Sequence, residues 1–222
     1  MLLYYITDRT QFPGTESQRR ERLLKKIAEA AHAGIDYVQL REKDLPAREL
    51  EFLSREAAQL IGESGSRTRL LINSRTDIAL AAGAHGVHLT SNDVSPIEVR
   101  KIWHEVNNPG KPIIAVSCHS EAKVMAAESA SDRVGAAVHA RPPSADFVVF
   151  GPVFEKRGAP ETAGIDQLRQ VCRHRIPVLA LGGVTTENAH LCIEAGAKGI
   201  AGIRLFQGSD VAAVVRKLRG LK

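Results

Sequence analysis

The densest run of chemistry-bearing side chains is Gln39-Leu40-Arg41-Glu42-Lys43. Alternation along an extended segment puts Gln39, Arg41 and Lys43 on one side. Arginine offers a planar fork of donors and lysine a compact charge, the usual pair for a phosphate or pyrophosphate. The same run also fits a solvated strand end, with its cations paired to Glu42 and Asp44. A second anion-binding candidate is Gly182-Gly183, which leads into Val184-Thr185-Thr186-Glu187, a helix start with a capping threonine. Glycines there let backbone N–H groups close on a phosphate at a helix N-terminus, although a Gly-Gly pair alone is also an ordinary turn.

Asn73, Ser74, Arg75 and Asp93 could support a metal. Mg²⁺ prefers carboxylate oxygen, water and substrate phosphate, and Asp93 is the obvious carboxylate, with Ser74 beside it as a hydroxyl. Asp93 could equally cap a helix beginning near Pro96, as could Ser95. His88 and His119 sit near strand ends; a lone histidine is more often structural, and His119 is the stronger site candidate of the two. Cys118 reads as a small packed residue and not as a nucleophile. Thr7, Asp8, Thr90, Ser117, Gly151, Pro152 and Arg204 complete the strand-end candidates.

These residues need a frame that gathers them. Short apolar runs occur at 2–7, 37–40, 70–73, 86–89, 113–117, 147–150, 178–181 and 199–203. None alternates cleanly, as expected of strands buried on both faces in a parallel sheet. Between them lie helical spacings: Leu23, Leu24, Ile27, Ala28 and Ala31; Leu50, Leu53, Ala57 and Leu60; Ala189, Cys192, Ile193 and Ala197. Strands alternating with helices in this number predict an α/β fold, a (β/α)8 TIM barrel, whose active site lies at the C-terminal strand ends. The phrase Ala-Gly-x-x recurs at Ala33-Gly34, Ala82-Gly83 and Ala195-Gly196, each time just before a strand. It predicts a helix ending on a left-handed glycine, a repeated structural unit and not a functional motif. One segment, 129–145, breaks the rhythm with Pro142, Pro143 and an apolar patch at 136–138; it reads as a mobile loop or a long connection.

A chain of 222 residues fits one barrel domain spanning 1–222. Its formal charge of +5 suits phosphorylated small molecules. The basic residues are scattered among acids, as in Arg19, Arg20, Glu21 and Arg22, so no nucleic-acid partner is expected. Three cysteines, Cys118, Cys172 and Cys192, form no C-x-x-C and argue against a disulfide framework or structural zinc. No apolar run approaches the ~20 residues that cross a bilayer, and the first residues do not resemble a signal peptide, so no membrane partner and a cytoplasmic location are expected. A homo-oligomer remains open.

The runs Tyr37-Val38-Gln39-Leu40-Arg41-Glu42-Lys43-Asp44, Leu71-Ile72-Asn73-x-Arg75, Ala84-x-Gly86-Val87-His88-Leu89, Val116-Ser117-x-His119, Gly151-Pro152-Val153-Phe154 and Gly182-Gly183-Val184 strongly resemble the thiamin phosphate synthase family, in the family's order. The resemblance covers nearly the whole chain. It implies coupling of a hydroxymethylpyrimidine pyrophosphate to a hydroxyethylthiazole phosphate with Mg²⁺ as cofactor. Gln39, Arg41, Lys43 and Asn73 would then hold the pyrophosphate, Asp93 with Ser74 the metal, and Ser117 would approach the pyrimidine. Gly182, Gly183 and the last loop would hold the thiazole phosphate, with Arg75, His119 and Gly151 at the rim of the substrate site. On this basis Arg41, Lys43 and Ser117 are the expected catalytic residues.

Three positions depart from the family. Ser74 stands where the family has a metal-binding Asp. Glu155-Lys156-Arg157-Gly158-Ala159-Pro160 replaces a Thr-x-Thr-Lys loop, leaving Lys156 and Arg157 as stand-ins for its lysine. Arg204 replaces a serine in the last phosphate loop. The related TenI-type thiazole tautomerases also lack the strand-three Asp, but they carry a catalytic His where this chain has Pro152. Lys43 and Asp93 favour the synthase, with a tautomerase, a non-catalytic thiazole-phosphate-binding barrel or an unrelated phosphate-binding barrel as alternatives.

Overall fold

Every apolar run becomes a strand. In the computed structural model, which describes residues 1–90, 92–106, 110–129, 144–154 and 162–221, the strands are β1 (Leu2–Ile6), β2 (Tyr37–Leu40), β3 (Arg69–Asn73), β4 (Gly86–Leu89), β5 (Ile113–Cys118), β6 (Phe147–Phe150), β7 (Val178–Ala180) and β8 (Gly199–Gly202). Each pairs in parallel with the next, and β8 returns to β1 to close the barrel. The helices between them are α1 (Glu16–His32), α2 (Ala47–Glu63), α3 (Thr76–Ala81), α4 (Pro96–Glu105), α5 (Glu121–Glu128), α6 (Gly164–Val171) and α7 (Ala189–Glu194). After β8 come a short α8 (Arg204–Gln207) and then α9 (Val211–Arg219).

Local signals set the ends of these elements. Thr15 opens α1 through a reciprocal capping box with Gln18, and Ser95 opens α4 in the same way with Glu98. Ser95 therefore does the capping that Asp93 might have done, which leaves Asp93 for other work. Gly34, Gly83 and Gly196 have φ of +83°, +66° and +102°, so the recurring Ala-Gly phrase does mark left-handed helix ends. Of the irregular segment 129–145, residues 130–143 lie outside the described residues, and so does the 136–138 patch. At its far end Ser144 Oγ and Ala145 N both donate to Ala127 O.

The strands do alternate, although both of their faces are apolar. Leu3, Tyr5, Val38, Leu40, Leu70, Ile72, Val87 and Leu89 face the helices. Tyr4, Ile6, Leu71, Ala115, Phe147, Val149, Leu179 and Ala201 fill the barrel interior. Aromatic rings close its floor: Tyr4 meets Tyr37 at 5.9 Å and Phe147 at 5.6 Å, both edge-on, and Tyr37 lies 4.9 Å from Phe147. On β2, β3 and β5 the side chains turn polar one inward step further along, from Tyr37 to Gln39, Leu71 to Asn73 and Ala115 to Ser117. The interior is thus a packed plug below and a polar cup at the C-terminal ends above.

Close packing between strands makes Gly86 obligatory. A Cβ at Gly86 would lie 1.9 Å from the carbonyl oxygen of Ile113 on the neighbouring strand. Gly86→Ala should therefore force β4 from β5 and lower stability by roughly 2 kcal/mol or more. Urea unfolding monitored by circular dichroism reads this directly; an unchanged midpoint would show that the barrel wall yields at this point.

Candidate active site

Beside the polar cup, β1 and β2 are locked together by Arg9, which sits on a single 3-10 turn (Arg9–Gln11) and is 3% exposed. Its guanidinium donates to both oxygens of Asp44 at 2.7 and 2.8 Å, to Glu42 Oε2 at 3.2 Å and to Glu16 Oε1 at 2.5 Å. Glu42 is buried and accepts in addition from Thr7 Oγ1 at 2.5 Å and from the Arg9 backbone N–H at 2.9 Å. Burial raises the Glu42 pKa, and the bonds from Thr7 and Arg9 oppose that rise. Asp44 is held below the usual carboxylate range by its bonds from Arg9.

This arrangement corrects two expectations. Strand β2 ends at Leu40, so Arg41 and Lys43 lie on the loop beyond it, which turns because Glu42 is drawn inward to Arg9. The alternative reading, in which Arg41 and Lys43 pair with Glu42 and Asp44, does not hold either, because Arg9 takes both carboxylates. The Arg41 backbone N–H donates to Thr7 Oγ1 at 3.0 Å, while among the described residues neither the Arg41 nor the Lys43 side chain has a hydrogen-bond or ion-pair partner.

A second chain of contacts runs across the cup from β2 to the loop after β4. Gln39 Nε2 donates to Asn73 Oδ1 at 3.1 Å, Asn73 Nδ2 to Ser74 Oγ at 3.2 Å, and Ser74 Oγ to Asp93 Oδ2 at 2.8 Å. The Thr90 backbone N–H reaches the same Asp93 oxygen at 2.5 Å. Ser74 has φ of +59°, the left-handed region that side-chain-bearing residues seldom occupy, at the turn from β3 into α3. Four of the residues singled out in the sequence are therefore brought together: Gln39, Asn73, Ser74 and Asp93. Arg75 is turned away from them, its guanidinium held by Asp77 at 2.9 and 2.6 Å.

A third chain rises from the floor. Tyr4 Oη lies 2.9 Å from His88 Nδ1, and His88 Nε2 lies 2.7 Å from Ser117 Oγ. His88 is 2% exposed and stacks on Tyr4 at 5.7 Å. Its pKa is lowered to about 3, chiefly by burial, with the Arg41 charge adding to the effect and Asp93 opposing it.

The opposite side of the mouth is built by β7 and β8; in the closed order β7 faces β3. Gly182 and Gly183 have φ of +96° and +66°, and a Cβ on Gly182 would come within 2.6 Å of Pro152. Their backbone N–H groups have no backbone partner among the described residues. Helix α7 starts at Ala189, not at 184–187, so these amides belong to a loop and not to a helix terminus. Thr185 closes a turn and does not cap the helix as expected: it bonds reciprocally with Asn188 at 2.8 and 3.3 Å, and Asn188, the residue before α7, ties back through Nδ2 to Gly183 O at 3.0 Å. Arg204 is exposed at the first position of α8. His119 Nδ1 meets Gly151 O at 2.5 Å, and the Gly151 N–H goes to Cys118 O, so both backbone groups of Gly151 are used within the wall. Burial pushes the Cys118 thiol up to about 12, in keeping with a packed residue. Lys156 and Arg157 lie outside the described residues.

Among the described residues no three His, Cys, Asp or Glu side chains converge as a metal cage. Asp93 offers one oxygen already bound by Ser74 and Thr90 and a second without a hydrogen-bond partner among the described residues. This all-oxygen set fits Mg²⁺ held largely by substrate phosphate and water. Sequence reasoning missed Arg9 and Tyr4, whereas its reading of His88 as a structural histidine agrees with the buried, hydrogen-bonded ring. The available signal was the arginine directly after Thr7-Asp8, a charge placed where a strand end goes under a loop.

A family model described as thiamine monophosphate synthase matches residues 3–206. A Geobacter sulfurreducens protein with a provisional thiamine-phosphate synthase name is 41% identical over 203 residues, covering 90% of this chain and 83% of its own. The thiamine-phosphate synthase of Methanoculleus marisnigri is 34% identical over 222 residues, covering 98% and 93%. The solved thiamine phosphate pyrophosphorylase of Pyrococcus furiosus superposes with a TM-score of 0.77 at 28% identity, covering 99% of this chain and 94% of that one.

The buried imidazole has a consequence for stability. In the unfolded chain His88 titrates near 6.5, and in the fold near 3. Between those values the unfolded chain binds a proton that the fold does not, so stability falls as pH drops through this window, by up to ~1.4 kcal/mol per pH unit. Denaturant unfolding at pH 7 and pH 5 should show a smaller loss for H88Q than for the unmodified chain. Equal losses would mean that His88 binds its proton alike in both states.

Proposed function

The chain belongs to the thiamine monophosphate synthase family, and we propose on that premise that its barrel mouth joins hydroxymethylpyrimidine pyrophosphate to hydroxyethylthiazole phosphate. The products are thiamin phosphate and pyrophosphate. It is a transferase of the thiamine-phosphate synthase type. The observation that carries the site assignment is the pair Arg41 and Lys43, cations left without partners among the described residues because Arg9 has taken the nearby carboxylates.

In this reaction the bond between the pyrimidine methylene carbon and the pyrophosphate oxygen breaks, and the electron pair leaves with the pyrophosphate. The thiazole nitrogen lone pair then forms the new bond to that carbon. Arg41 and Lys43 bind the departing pyrophosphate and stabilise the charge that grows on it. Gln39 and Asn73, each fixed by the other, orient the same group. Ser117 lies toward the pyrimidine. Across the mouth the free amides of Gly182 and Gly183, with the Arg204 side chain, take the thiazole phosphate. Asp93 and Ser74 would hold Mg²⁺, which when bound would neutralise the leaving pyrophosphate. Two anion sites facing each other make positioning the main source of rate. Three free thiols suit a reducing, cytoplasmic setting, and no helix among the described residues is long and apolar enough to cross a membrane.

Two measurements test this reading. Purified protein given both substrates should form thiamin phosphate with Mg²⁺ and lose that activity in EDTA. No product, with thiazole phosphate still bound, would replace the synthase by a tautomerase or a binding barrel. Ser74→Asp should lower the Mg²⁺ concentration for half-maximal rate by about tenfold, ~1.4 kcal/mol of binding, since aspartate tolerates the left-handed backbone found there. An unchanged Mg²⁺ dependence would remove position 74 from the ion.

A further inference from the structure

The chain Tyr4–His88–Ser117 has a direction, set by burial at its inner end. Tyr4 is fully buried within the aromatic floor, and its hydroxyl has one polar neighbour among the described residues, His88 Nδ1. A neutral imidazole carries a single N–H. Were that proton on Nδ1, Tyr4 would have to accept it, and the phenolic O–H would be left buried without an acceptor. With the proton on Nε2, Tyr4 donates to Nδ1 and Nε2 donates to Ser117 Oγ, and both buried groups are satisfied. The Ser117 oxygen is then an acceptor toward His88, and its own O–H turns away from the ring. Ser117 is half-buried at the mouth and has no other side-chain partner among the described residues.

We propose that Tyr4 and His88 are positioning residues that hold Ser117 as a hydrogen-bond donor to an acceptor atom of the pyrimidine pyrophosphate, a ring nitrogen or a phosphate oxygen. The identity of the ligand rests on the synthase reading; the proton arrangement is a property of the unliganded protein. Without the Tyr4 hydroxyl the other tautomer becomes equally available. Ser117 then donates to His88 Nε2 and presents only lone pairs to the substrate. The floor of the barrel, well below the reacting atoms, would in this way select the polarity of a group at the mouth.

The tautomer can be read in the intact protein labelled with ¹⁵N-histidine, by long-range ¹H–¹⁵N correlation at pH 7. The chain has eight histidines, and the His88 signals are those lost in H88Q. The Nε2–H form is expected; the Nδ1–H form would overturn the proposal. In Y4F, whose ring fills the same space and whose folding is checked by thermal melting, His88 should become a mixture of tautomers. The kcat/KM for the pyrimidine pyrophosphate should fall about twofold in Y4F, the fraction of the protein that leaves the donor-competent tautomer. S117A, which lacks the hydrogen bond altogether, should fall about tenfold, and the double variant no further than S117A alone. Because the glutamine amide reaches about as far as Nε2, H88Q should retain more activity than H88N. Additive losses in the double variant would show that Tyr4 acts by another route and would sink the idea. Should the protein make no thiamin phosphate, the synthase reading falls, and the orientation of Ser117 still stands or falls on the His88 tautomer.

Discussion

The site depends on one buried cation. Arg9 brings three carboxylates to a single guanidinium, two of them from the loop that follows β2. A buried charge is tolerable only when paired and hydrogen-bonded, and removing one member of such a set costs about 3–5 kcal/mol. Arg9 and Glu42 meet that condition through Thr7 and the backbone, so the loop has one low-energy course. On that course Glu42 faces inward and its neighbours Arg41 and Lys43 do not. The structural pairing at the loop thus consumes the negative charges and leaves the positive ones without partners among the described residues.

The remainder of the cup is held by uncharged side chains whose hydrogen bonds end on one carboxylate. Gln39, Asn73 and Ser74 pass hydrogen bonds to Asp93, and the buried His88 stays uncharged beside them. A neutral imidazole adds no positive charge to compete with Arg41 for an anion. The charge of the cup is thereby concentrated at its rim, where the leaving group of a pyrophosphate ester would sit, while its lower wall supplies direction only. This division suits a reaction in which orientation and charge stabilisation matter more than proton transfer.

Ser74 is one of the three positions at which the sequence departs from the family pattern it resembles. Its backbone is left-handed at φ of +59°, and its hydroxyl donates to Asp93. Asp93 in turn is not spent on capping α4, because Ser95, two residues on, does so. Helix capping, a local matter, is what leaves a carboxylate available at the mouth.

The amino-acid sequence by itself determined the number and order of strands, because eight apolar runs separated by helical spacings leave few other folds. It also determined the left-handed turns at Gly34, Gly83 and Gly196, because their cause lies within a few residues. Family membership was legible as well, since motifs such as the run around Gln39 and Arg41 are contiguous. The inward face of each strand was not legible. Both faces are apolar in a closed parallel barrel, so alternation leaves no mark, and only closure puts Tyr4 inside and Tyr5 outside. Nor could the pairing of Arg9 with Glu42, or either partner of His88, be read, because these residues lie 29 to 84 positions apart and meet only through the barrel register. The helix start assigned to Val184–Glu187 failed for a related reason: the Gly182-Gly183 turn is shaped by the backbone of Pro152 on another strand end, and no local pattern reports that approach.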